Sequence, residues 1–522
     1  MINTSRRNFI RGLAGVSTLA AGGCFSIAPT CADAKKIRLA AVGIMGKGFS
    51  DWFPMIQSGK AELVALCDAD ATQLAKAQEQ LKKNNFDLDL SKIPFFTDYR
   101  KLLDNCGVLS VQAMTISTPD HIHAPVAIQA MKQGIHVYVQ KPLVRTLWEL
   151  DYFNKTAKEY GVVVQMGNQG SSLDSMRRCT EVLQSGILGE VKEVHVWTNR
   201  PVWPQGKVLA DYIKSRGDKG DPIPAGLNWE AYLGPAKDRP YLGKFPDNLG
   251  PFHNDWKIAP NVYHAFNWRG SVDFGAGAFG DMACHTMNLP FRGLELGGVS
   301  DAECTMIEGH SDLIYPVKSI VKLTYKERTA KYGTLKGAKL PAVTLYWYDG
   351  DEKPSPEIMP KYAAKNGGKV PNTGCYIIGT KGCVLMQDDY GAKCAIALNE
   401  DKEFIDVFQH EAAKVVGTWI PKIGEAVAKD QKSSVEMKGF ANGHYIEFLD
   451  AINGEGPVFE QTHSRCFSDI EYCIPQMEGI LVGCVAQQLP GKKLNWCAKS
   501  QKFDLDCANA LVKPYIREGF AF

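Results

Sequence analysis

The sequence predicts an α/β protein in which a doubly wound parallel sheet precedes a second domain built on a mostly antiparallel sheet. Two observations predict this fold class. Within residues 35–167, short apolar runs alternate with helical stretches, a pattern typical of a parallel sheet covered by helices. Within residues 168–522, strands alternate apolar and polar side chains with few helices between them, which favours an antiparallel or mixed sheet.

The composition is that of a globular protein and excludes several classes. The 522 residues are 45% hydrophobic and 22% charged, with a mean hydropathy of −0.19, which excludes collagen-like, low-complexity and disordered chains. No run of 18 apolar residues occurs, so we expect no membrane-spanning helix. Beyond residue 34 the chain holds 56 basic and 56 acidic residues, whereas a nucleic-acid binder normally needs a basic excess.

Residues 1–34 are predicted to be a twin-arginine signal peptide, which would export the folded protein to the periplasm. Residues 5–10 (SRRNFI) form the arginine pattern, a weakly apolar run follows, and residues 32–34 (ADA) supply a cleavage signal. The alternatives are a chance Arg pair before an amphipathic helix, or a lipid anchor at Cys24.

The cysteines indicate neither a metal site nor a redox motif. No C-x-x-C occurs among the 15 cysteines, and most of those beyond residue 34 lie in apolar stretches, where buried structural thiols are expected. Folding before export also argues against a disulfide framework, although exported chains often carry one.

The first domain is predicted to consist of repeated strand–helix units. The predicted strands are residues 37–43, 61–68, 108–117, 135–140 and 162–167, and the predicted helices are residues 69–84, 121–134 and 147–161. In such sheets a ligand binds beyond the carboxyl ends of the strands.

A glycine turn follows the first strand. Gly43, Gly46 and Gly48 give G-x-x-G-x-G, where backbone N–H groups at a helix start can face a pyrophosphate. Asp68 ends the second strand 20 residues after Gly48, where a carboxylate can accept from a ribose 2′-hydroxyl and repel a 2′-phosphate. The pattern therefore favours NAD over NADP, with a tight turn and a helix cap as the alternative.

The second domain is predicted from alternation and from a long loop. The predicted strands are residues 190–198, 318–326, 343–348, 375–387 and 394–398, and the predicted closing helices are residues 444–452 and 467–489. Residues 201–256 are rich in Pro, Gly, Asp and aromatics and predict a long loop that either binds a sugar or pins itself to the surface.

Two groups of residues are candidates for proton chemistry. Lys141 follows a parallel strand, where it can donate to a substrate hydroxyl, unless it is a solvated loop lysine. If a helix begins at Asp281, then Asp281 and His285 share one face, so Asp281 can bind a hydroxyl while His285 takes its proton. The alternatives are an N-capping Asp with a packed His, or a metal site, for which no third ligand is placed.

The segment 117–123 (STPDHIH) lies between a strand and a helix and should border the same crevice. We expect Asp120 to cap the helix. The H-x-H pair is interpreted as a cap and a ribose contact in preference to a metal ligand pair.

These motifs together resemble the glucose–fructose oxidoreductase/inositol dehydrogenase/MocA-like family. The resemblance rests on AAVGIMGKG, Asp68, STPDHIHAPVAIQAMKQGIHVYVQKPL and GAGAFGDMACH, and it spans nearly the whole chain beyond residue 34. QMGNQGS and HVWTNRPVWPQG resemble an exported branch. The family implies a Rossmann domain, then an open-faced α/β domain that often mediates dimers or tetramers.

The resemblance also implies roles for individual residues. Lys141, Asp281 and His285 match the catalytic positions, and we further expect Asn168, Trp268 and Arg269 to contact the substrate. The residues expected to bind the cofactor are Gly43, Ile44, Met45, Gly46, Gly48, Asp68, Ser117, Thr118, Pro119, His123, Gln140 and Lys141. No metal is expected.

Two positions depart from the family pattern. Gln140 replaces the usual Glu and removes a charge beside Lys141, and Met45 stands where many members have glycine. With Gln140 in place of Glu, the family pattern no longer predicts the pKa of Lys141. With Met45 in place of glycine, it no longer predicts how closely the backbone approaches the pyrophosphate.

Three functions are compatible with these features. The first is an NAD-dependent oxidoreductase acting on a sugar, glycoside or polyol, with the cofactor held tightly during export. The second is a redox-cycling glycosidase or lyase, although the glycosidase branch lacks the Lys-Pro pair found here. The third is a non-catalytic binding module, which the joint presence of Lys141, Asp281 and His285 disfavours.

Overall fold

Near-continuous apolar strands in the first third of the chain form a parallel sheet that is buried on both faces. The computed structural model describes residues 36–245, 261–422 and 443–522. The predicted signal peptide, the possible anchor at Cys24 and part of the predicted long loop lie outside the described residues. The six parallel strands are β1 (Ile37–Val42), β2 (Ala61–Cys67), β3 (Phe95–Phe96), β4 (Ala113–Ile116), β5 (His136–Gln140) and β6 (Val164–Gly167).

The strand order is β3-β2-β1-β4-β5-β6, with every neighbouring pair parallel. The chain therefore winds outward in both directions from β1, and the crevice lies where the order reverses, between β1 and β4. The predicted doubly wound sheet is confirmed.

Helices cover both faces of this sheet. They are α1 (Lys47–Gln57), α2 (Thr72–Lys83), α3 (Tyr99–Asn105), α4 (Asp120–Lys132) and α5 (Leu147–Tyr160). Local sequence determines where α5 begins and ends. Thr146 and Glu149 form a reciprocal capping box at its start, and Gly161 adopts a left-handed conformation (φ 61°) at its end.

Sequence patterns misplaced or missed some elements of the first domain. The strand predicted over residues 108–117 is confined to Ala113–Ile116, because residues 106–110 form turns after α3. The short edge strand β3 and helix α3 were not predicted, since a two-residue strand and a seven-residue helix give little periodic signal.

The second sheet has ten strands in the order β16-β15-β14-β13-β7-β12-β9-β8-β17-β18. Its members are β7 (Val191–Trp197), β8 (Val299–Glu308), β9 (Lys318–Tyr325), β12 (Val343–Asp349), β13 (Gly374–Gly379), β14 (Gly382–Met386), β15 (Cys394–Leu398), β16 (Ile405–Asp406), β17 (Lys493–Cys497) and β18 (Lys502–Phe503). A separate two-stranded sheet pairs β10 (Arg328–Thr329) with β11 (Lys339–Leu340).

All neighbouring pairs of the large sheet are antiparallel except β7 and β12, which are parallel. The sheet is therefore mixed and mostly antiparallel, as predicted. Buried and half-buried residues alternate along β9, with Val321, Leu323 and Tyr325 on the buried side. One face thus packs under helices, while the other is partly open.

The helices of the second half of the chain are α6 (Asp174–Gln184), α7 (Lys207–Arg216), α8 (Trp229–Leu233), α9 (Gly277–Thr286), α10 (Asn288–Gly293), α11 (Pro360–Lys365), α12 (Glu411–Lys414), α13 (Gly443–Asn453), α14 (Ile470–Gln488) and α15 (Asp506–Asn509). Helix α14 packs against α9, β8 and β9. The two predicted closing helices correspond to α13 and α14.

Two expectations about the second domain were wrong. The strand predicted over residues 375–387 is a hairpin of β13 and β14, because Gly379 and Gly382 flank a two-residue turn. The predicted loop over residues 201–256 contains α7 and α8, whose aromatic side chains pack into a cluster of their own with Tyr263 and Phe274.

The described cysteines agree with the interpretation as structural thiols. All 13 are free, and 11 of them are buried, with only Cys497 and Cys507 exposed. Across the described ranges, no helix is long and apolar enough to cross a membrane.

Candidate active site

A cleft of about 590 Å³ lies at the carboxyl ends of β1, β2, β4 and β5. Its lining includes most of the predicted cofactor-binding residues, all three predicted catalytic residues, and residues from the predicted long loop. Residues of the first domain in the lining include Gly43, Met45, Gly46, Lys47, Asp68, Ser117, Thr118, Pro119, Gln140 and Lys141. Residues of the second domain in it include Gln169, Arg200, Trp203, Tyr232, His264, Phe266, Trp268, Arg269, Asp281, His285 and Tyr390.

The glycine turn needs glycine at two positions because the backbone is crowded there. A Cβ on Gly43 (φ 77°) would lie 2.4 Å from the Ser117 carbonyl oxygen, and one on Gly48 would lie 1.9 Å from the Gly43 carbonyl oxygen. Around Gly46 (φ 59°), by contrast, no heavy atom lies within 4 Å of where its Cβ would be. The turn therefore closes tightly on β4 and leaves open space at Gly46, as a phosphate cradle requires.

Met45 lies in the cleft wall, whereas its neighbour Ile44 is fully buried behind it. The Ile44 N–H donates to Asp68 Oδ2 at 3.1 Å, so this N–H does not face the cleft. Ile44 and Gly48 thus shape the turn from behind.

Asp68 faces the cleft from the end of β2. Its Oδ1 accepts from the Asp70 N–H at 3.0 Å, and burial raises the pKa of Asp68 to about 6. Each carboxylate oxygen therefore keeps a lone pair for a hydroxyl group of a bound ligand. Together with the glycine turn, this donor and acceptor set fits an adenine dinucleotide without a 2′-phosphate.

His123 lies behind the cleft wall and not in it. One ring nitrogen lies 2.7 Å from the Pro142 carbonyl oxygen and the other 3.0 Å from the Thr118 carbonyl oxygen. Burial lowers the pKa of His123 to about 4. The neutral ring can donate to only one of the two oxygens. His123 therefore ties the 117–119 turn to the segment that carries Lys141.

Asp120 does not cap α4 as expected. The capping position is Pro119, and Asp120 is the first residue of the helix, with no side-chain capping bond. Its carboxyl is buried, and its Oδ1 has no hydrogen-bond partner within the described chain. Burial and the charge of Asp281 raise the pKa of Asp120 well above its ordinary value.

Lys141 and Asp281 are in direct contact across the cleft. Lys141 Nζ donates to Asp281 Oδ1 at 2.8 Å and to the Asp281 carbonyl oxygen at 2.9 Å. Arg269 Nε donates to the same Oδ1 at 3.1 Å. Burial alone would raise the pKa of Asp281, but the charges of Lys141 and Arg269 hold it well below its ordinary value.

His285 lies one helical turn beyond Asp281, as the spacing predicts. Helix α9 starts at Gly277, so Asp281 lies within the helix and the alternative of an N-capping Asp is wrong. Burial, assisted by the charge of Lys141, lowers the pKa of His285 well below its ordinary value, so the imidazole is neutral. Its Nδ1 has no hydrogen-bond partner among the described residues, and its ring meets that of Tyr390 edge-on at 4.6 Å.

Of the three residues expected to contact substrate, two line the cleft. The Arg269 guanidinium lies 4.2 Å from the Phe266 ring centroid and 4.3 Å from that of Trp268. Asn168 is fully buried, and its side-chain amide has no partner within the described residues. Its neighbour Gln169 lines the cleft instead.

Sequence reasoning missed several lining residues. Arg200, Trp203, Tyr232 and Phe266 come from segments in or beside the predicted loop, where the density of aromatics was the available signal. Tyr390 comes from the turn between β14 and β15, which no motif marks. Among the described residues, no group of three or more His, Cys, Asp or Glu side chains is arranged to hold a metal ion.

Residues 37–168 match the family model GFO_IDH_MocA, described as "Oxidoreductase family, NAD-binding Rossmann fold". This segment is therefore an NAD-binding domain.

Curated relatives match over short segments. The chain is 24% identical over 110 residues to 2,7-anhydro-N-acetylneuraminate hydratase of Mediterraneibacter gnavus, and 28% identical over 164 residues to glycosyl hydrolase family 109 protein 2 of Akkermansia muciniphila. It is 30% identical over 165 residues to glycosyl hydrolase family 109 protein 1 of Shewanella sp. strain ANA-3. The matches cover 21%, 30% and 30% of this chain and span 29%, 32% and 34% of those relatives.

Solved structures match over most of the chain. An inositol dehydrogenase homolog from Azotobacter vinelandii, complexed with NADH and myo-inositol, has a TM-score of 0.53 at 15% identity, covering 89% of this chain and 98% of that one. The WlbA dehydrogenase from Bordetella pertussis, in complex with NADH and UDP-GlcNAcA, has a TM-score of 0.51 at 15% identity, covering 89% and 99%. At this identity the likeness shows the two-domain fold.

Proposed function

Since this chain belongs to the Gfo/Idh/MocA family of NAD-binding oxidoreductases, we propose that it oxidises or reduces a CH–OH group of a sugar, glycoside or polyol with a tightly held NAD. The observation that carries the proposal is the contact of Lys141 with Asp281, one helical turn from a neutral His285, in the cleft that also holds the glycine turn and Asp68. Such a set can bind a hydroxyl and remove its proton.

The cofactor would lie along the first-domain wall of the cleft. The open space at Gly46 admits the pyrophosphate, and Asp68 accepts from the ribose hydroxyls. Ser117 and Gln140 line the inner part of the wall beside Lys141. When bound, NAD supplies the hydride acceptor or donor.

The chain's own residues orient the substrate oxygen and move its proton. Lys141 Nζ uses two of its three N–H groups on Asp281, which leaves one to donate to the substrate oxygen. Both cations that meet Asp281 contact Oδ1, so Oδ2 is available to accept from a neighbouring hydroxyl. The neutral imidazole of His285 accepts the hydroxyl proton, and the nearby Asp281 carboxylate stabilises the resulting imidazolium.

The second-domain wall suits a carbohydrate. Trp203, Phe266 and Trp268 surround the Arg269 guanidinium, which reaches Asp281. Aromatic rings stack on the C–H face of a sugar, while Arg and Asp bond its hydroxyls. We therefore propose a carbohydrate or polyol as substrate.

Residues 226–232, which we call the strap, are bonded to the turn after β2, where Asp68 and Ala69 line the cleft, and they support the proposal of tight cofactor retention. The Asn228 N–H donates to the Ala69 carbonyl oxygen at 2.7 Å, and the Ala71 N–H donates to the Gly226 carbonyl oxygen at 2.9 Å. Tyr232, the last residue of the strap, and Asp68 both line the cleft. We propose that these bonds slow the release of a bound cofactor, which suits a protein that we propose is exported already folded to the periplasm.

A second candidate function is a redox-cycling glycosidase or lyase that acts through a keto-sugar. The family 109 glycosyl hydrolases and the anhydroneuraminate hydratase among the curated relatives favour it. Oxidation of a hydroxyl to a ketone makes the neighbouring C–H acidic, so that a proton and the aglycone can be eliminated. In a glycosidase water then adds to the resulting double bond, in a lyase it does not, and reduction of the ketone restores NAD. We also propose a homo-oligomer, with the partly open face of the large sheet as its contact surface.

The cofactor content of the protein tests the proposal first. Protein purified without added cofactor is heat-denatured, and the released dinucleotide is identified by chromatography and absorbance. About one equivalent of NAD per chain is expected, and an empty protein that also fails to bind added NAD contradicts the proposal. A panel of sugars, polyols and glycosides then separates the candidates: reduction of bound NAD by free sugars favours the oxidoreductase, and release of an aglycone without net NADH favours the second function.

A further inference from the structure

Asp51 is a buried carboxylate that no motif marks, and it lies directly behind the cleft wall. It lies on α1, one turn after Lys47, and its side chain is fully inaccessible to solvent. Lys47 Nζ, Ser117 Oγ, Gln140 Nε2, Gln169 Nε2 and the Tyr445 hydroxyl all donate to it. A buried carboxylate with this many donors is satisfied in its charged, acceptor-only form.

The donors come from five separate parts of the chain and converge on this one group. Ser117 follows β4, Gln140 ends β5 and Gln169 follows β6, whereas Lys47 and Tyr445 belong to α1 and α13. Every donor except Tyr445 lines the cleft. Asp51 therefore fixes four cleft-lining side chains relative to one another from behind.

Gln140 extends this network to Lys141. Its Nε2 donates to both Asp51 oxygens at 3.0 and 3.2 Å, and its Oε1 accepts from the Lys141 N–H at 3.2 Å. A Cβ on Gly167 would lie 2.5 Å from Gln140 Nε2, so the amide packs closely against the Gly167 backbone. The amide is thus held in one orientation, with its donor end on Asp51 and its acceptor end on Lys141.

This arrangement explains why position 140 carries an amide. A Glu there would place a second carboxylate oxygen about 3 Å from Asp51 with no proton between them, and two carboxylates at that distance cannot both be ionised without a large penalty. A carboxylate at 51 and an amide at 140 are therefore complementary, as would be an amide at 51 and a carboxylate at 140.

We propose that Asp51 is a positioning residue that sets the placement of Lys141 through Gln140, and that residues 51 and 140 act as a matched pair of one carboxylate and one amide. The inference rests on the proposed function, because the placement of Lys141 matters only if this cleft carries out the reaction. The inference assigns a role in the reaction to Asp51, a residue that does not itself line the cleft.

A charge swap tests the proposal. The variants are D51N, Q140E and the double variant D51N/Q140E, compared with the wild-type holoprotein. D51N replaces one of the two acceptor oxygens by an NH2 group, which faces the donors that the carboxylate had satisfied, and Q140E alone sets two carboxylates face to face. Each single variant is expected to lower kcat at least tenfold with a smaller change in KM, and the double variant to recover most of kcat. Affinity for NAD, measured by calorimetry on cofactor-free protein, is expected to fall in the single variants and return in the double variant.

Asp349 supplies the matched control. It is also buried and accepts from Trp347, Ser319 and Gln487, but it does not line or border the cleft. D349N is expected to lower the melting temperature and leave kcat and NAD affinity per folded molecule unchanged. If D51N does likewise, Asp51 is a core residue only and the proposal is overturned.

The remaining outcomes also test the proposal. If D51N does not fold, the comparison of Q140E with the double variant tests it instead. A double variant whose kcat is no higher than that of Q140E contradicts the matched pair. Wild-type protein that binds NAD but turns over no carbohydrate or polyol overturns the proposed function and this inference with it. Wild-type turnover with unaltered kcat in the single variants overturns this inference alone.

Discussion

Lys141 Nζ lies 2.8 Å from Asp281 Oδ1, and this contact joins the end of β5 to the middle of α9. The two residues are 140 positions apart in the chain, and both are nearly buried, with side-chain exposures of 13% and 9%. A buried pair of this kind does not add much to stability, because the desolvation of both groups offsets their attraction. Its placement inside the cleft, beside a neutral His285, is better explained by chemistry.

Replacement of Lys141 by Ala removes the donor that orients the substrate oxygen. We expect kcat/KM to fall by about 10²–10⁴ in K141A, the range typical of a lost acid–base or orienting group, while bound NAD is retained. Steady-state kinetics with the best substrate measure this. K155A removes an exposed lysine that pairs with Asp151 and should behave as wild type; equal activity of K141A and wild type would exclude Lys141 from the reaction.

Replacement of His285 by Gln removes the proton acceptor and keeps a polar side chain of similar reach. His264 also lines the cleft, but it lies 3.6 Å from Asp70, whereas His285 lies one helical turn from Asp281, so we expect kcat to fall by about 10²–10⁴ in H285Q. His410 is a matched control, since it is buried against Asp401 and does not line the cleft. A loss of activity in H410Q as large as that in H285Q would mean that the effect is structural.

The pH dependence of the reaction follows from the lowered pKa of His285. Burial and the charge of Lys141 place that pKa well below 6.5, and the base acts when it is unprotonated, so its activity persists as the pH falls. We expect kcat/KM in the oxidation direction to show no titration near pH 6.5 and to decline only under more acidic conditions. A pH profile with a midpoint near 6.5 that is absent in H285Q would contradict the buried neutral imidazole.

Asp68 is expected to set the choice between NAD and NADP. Removing its carboxylate in D68A takes away the acceptor for the ribose hydroxyl and the charge that repels a 2′-phosphate. We expect the ratio of NADP affinity to NAD affinity to rise at least tenfold, as measured by calorimetry on cofactor-free protein. D211A, at an exposed ion pair with Lys207, should leave the ratio unchanged.

The strap is expected to govern how slowly the cofactor leaves. Asn228 accepts from the Ala231 N–H at the start of α8 and donates to the Thr97 carbonyl oxygen at 3.3 Å. Asn228 itself does not line the cleft, so N228A removes two bonds that hold the strap and no side chain of the lining. We expect the half-time of NAD release, followed by dilution into an NAD-trapping enzyme, to shorten at least tenfold. N366A, on an exposed turn after α11, serves as the comparison. Unchanged release in N228A would show that the strap does not retain the cofactor.

The first domain was predictable in most of its elements because its signals are local. Buried parallel strands read as continuous apolar runs, so β1, β2, β5 and β6 were found to within two residues at each end. The glycine turn was also predictable from the sequence, since only glycine tolerates the close contact of residue 43 with the Ser117 carbonyl. Elements too short to show a period, such as β3, could not be found in this way.

The second-domain wall was less predictable because its residues are brought together by packing. Nothing near Tyr390 in the sequence indicates that a hairpin turn would place its ring against His285, 105 positions earlier. Asn168 and Gln169 are adjacent, and only the tertiary structure decides which of them faces the cleft.

The sequence by itself determined the fold class, the NAD-binding domain and the placement of Asp281 and His285 one helical turn apart, because strand burial, turn geometry and helical spacing act over a few residues. The tertiary structure decided which groups meet: Lys141 with Asp281, the strap with the turn after β2, and Gln140 with Asp51. The physical reason is that a buried charge needs partners, and those partners come from wherever the packed chain brings donors within hydrogen-bond distance.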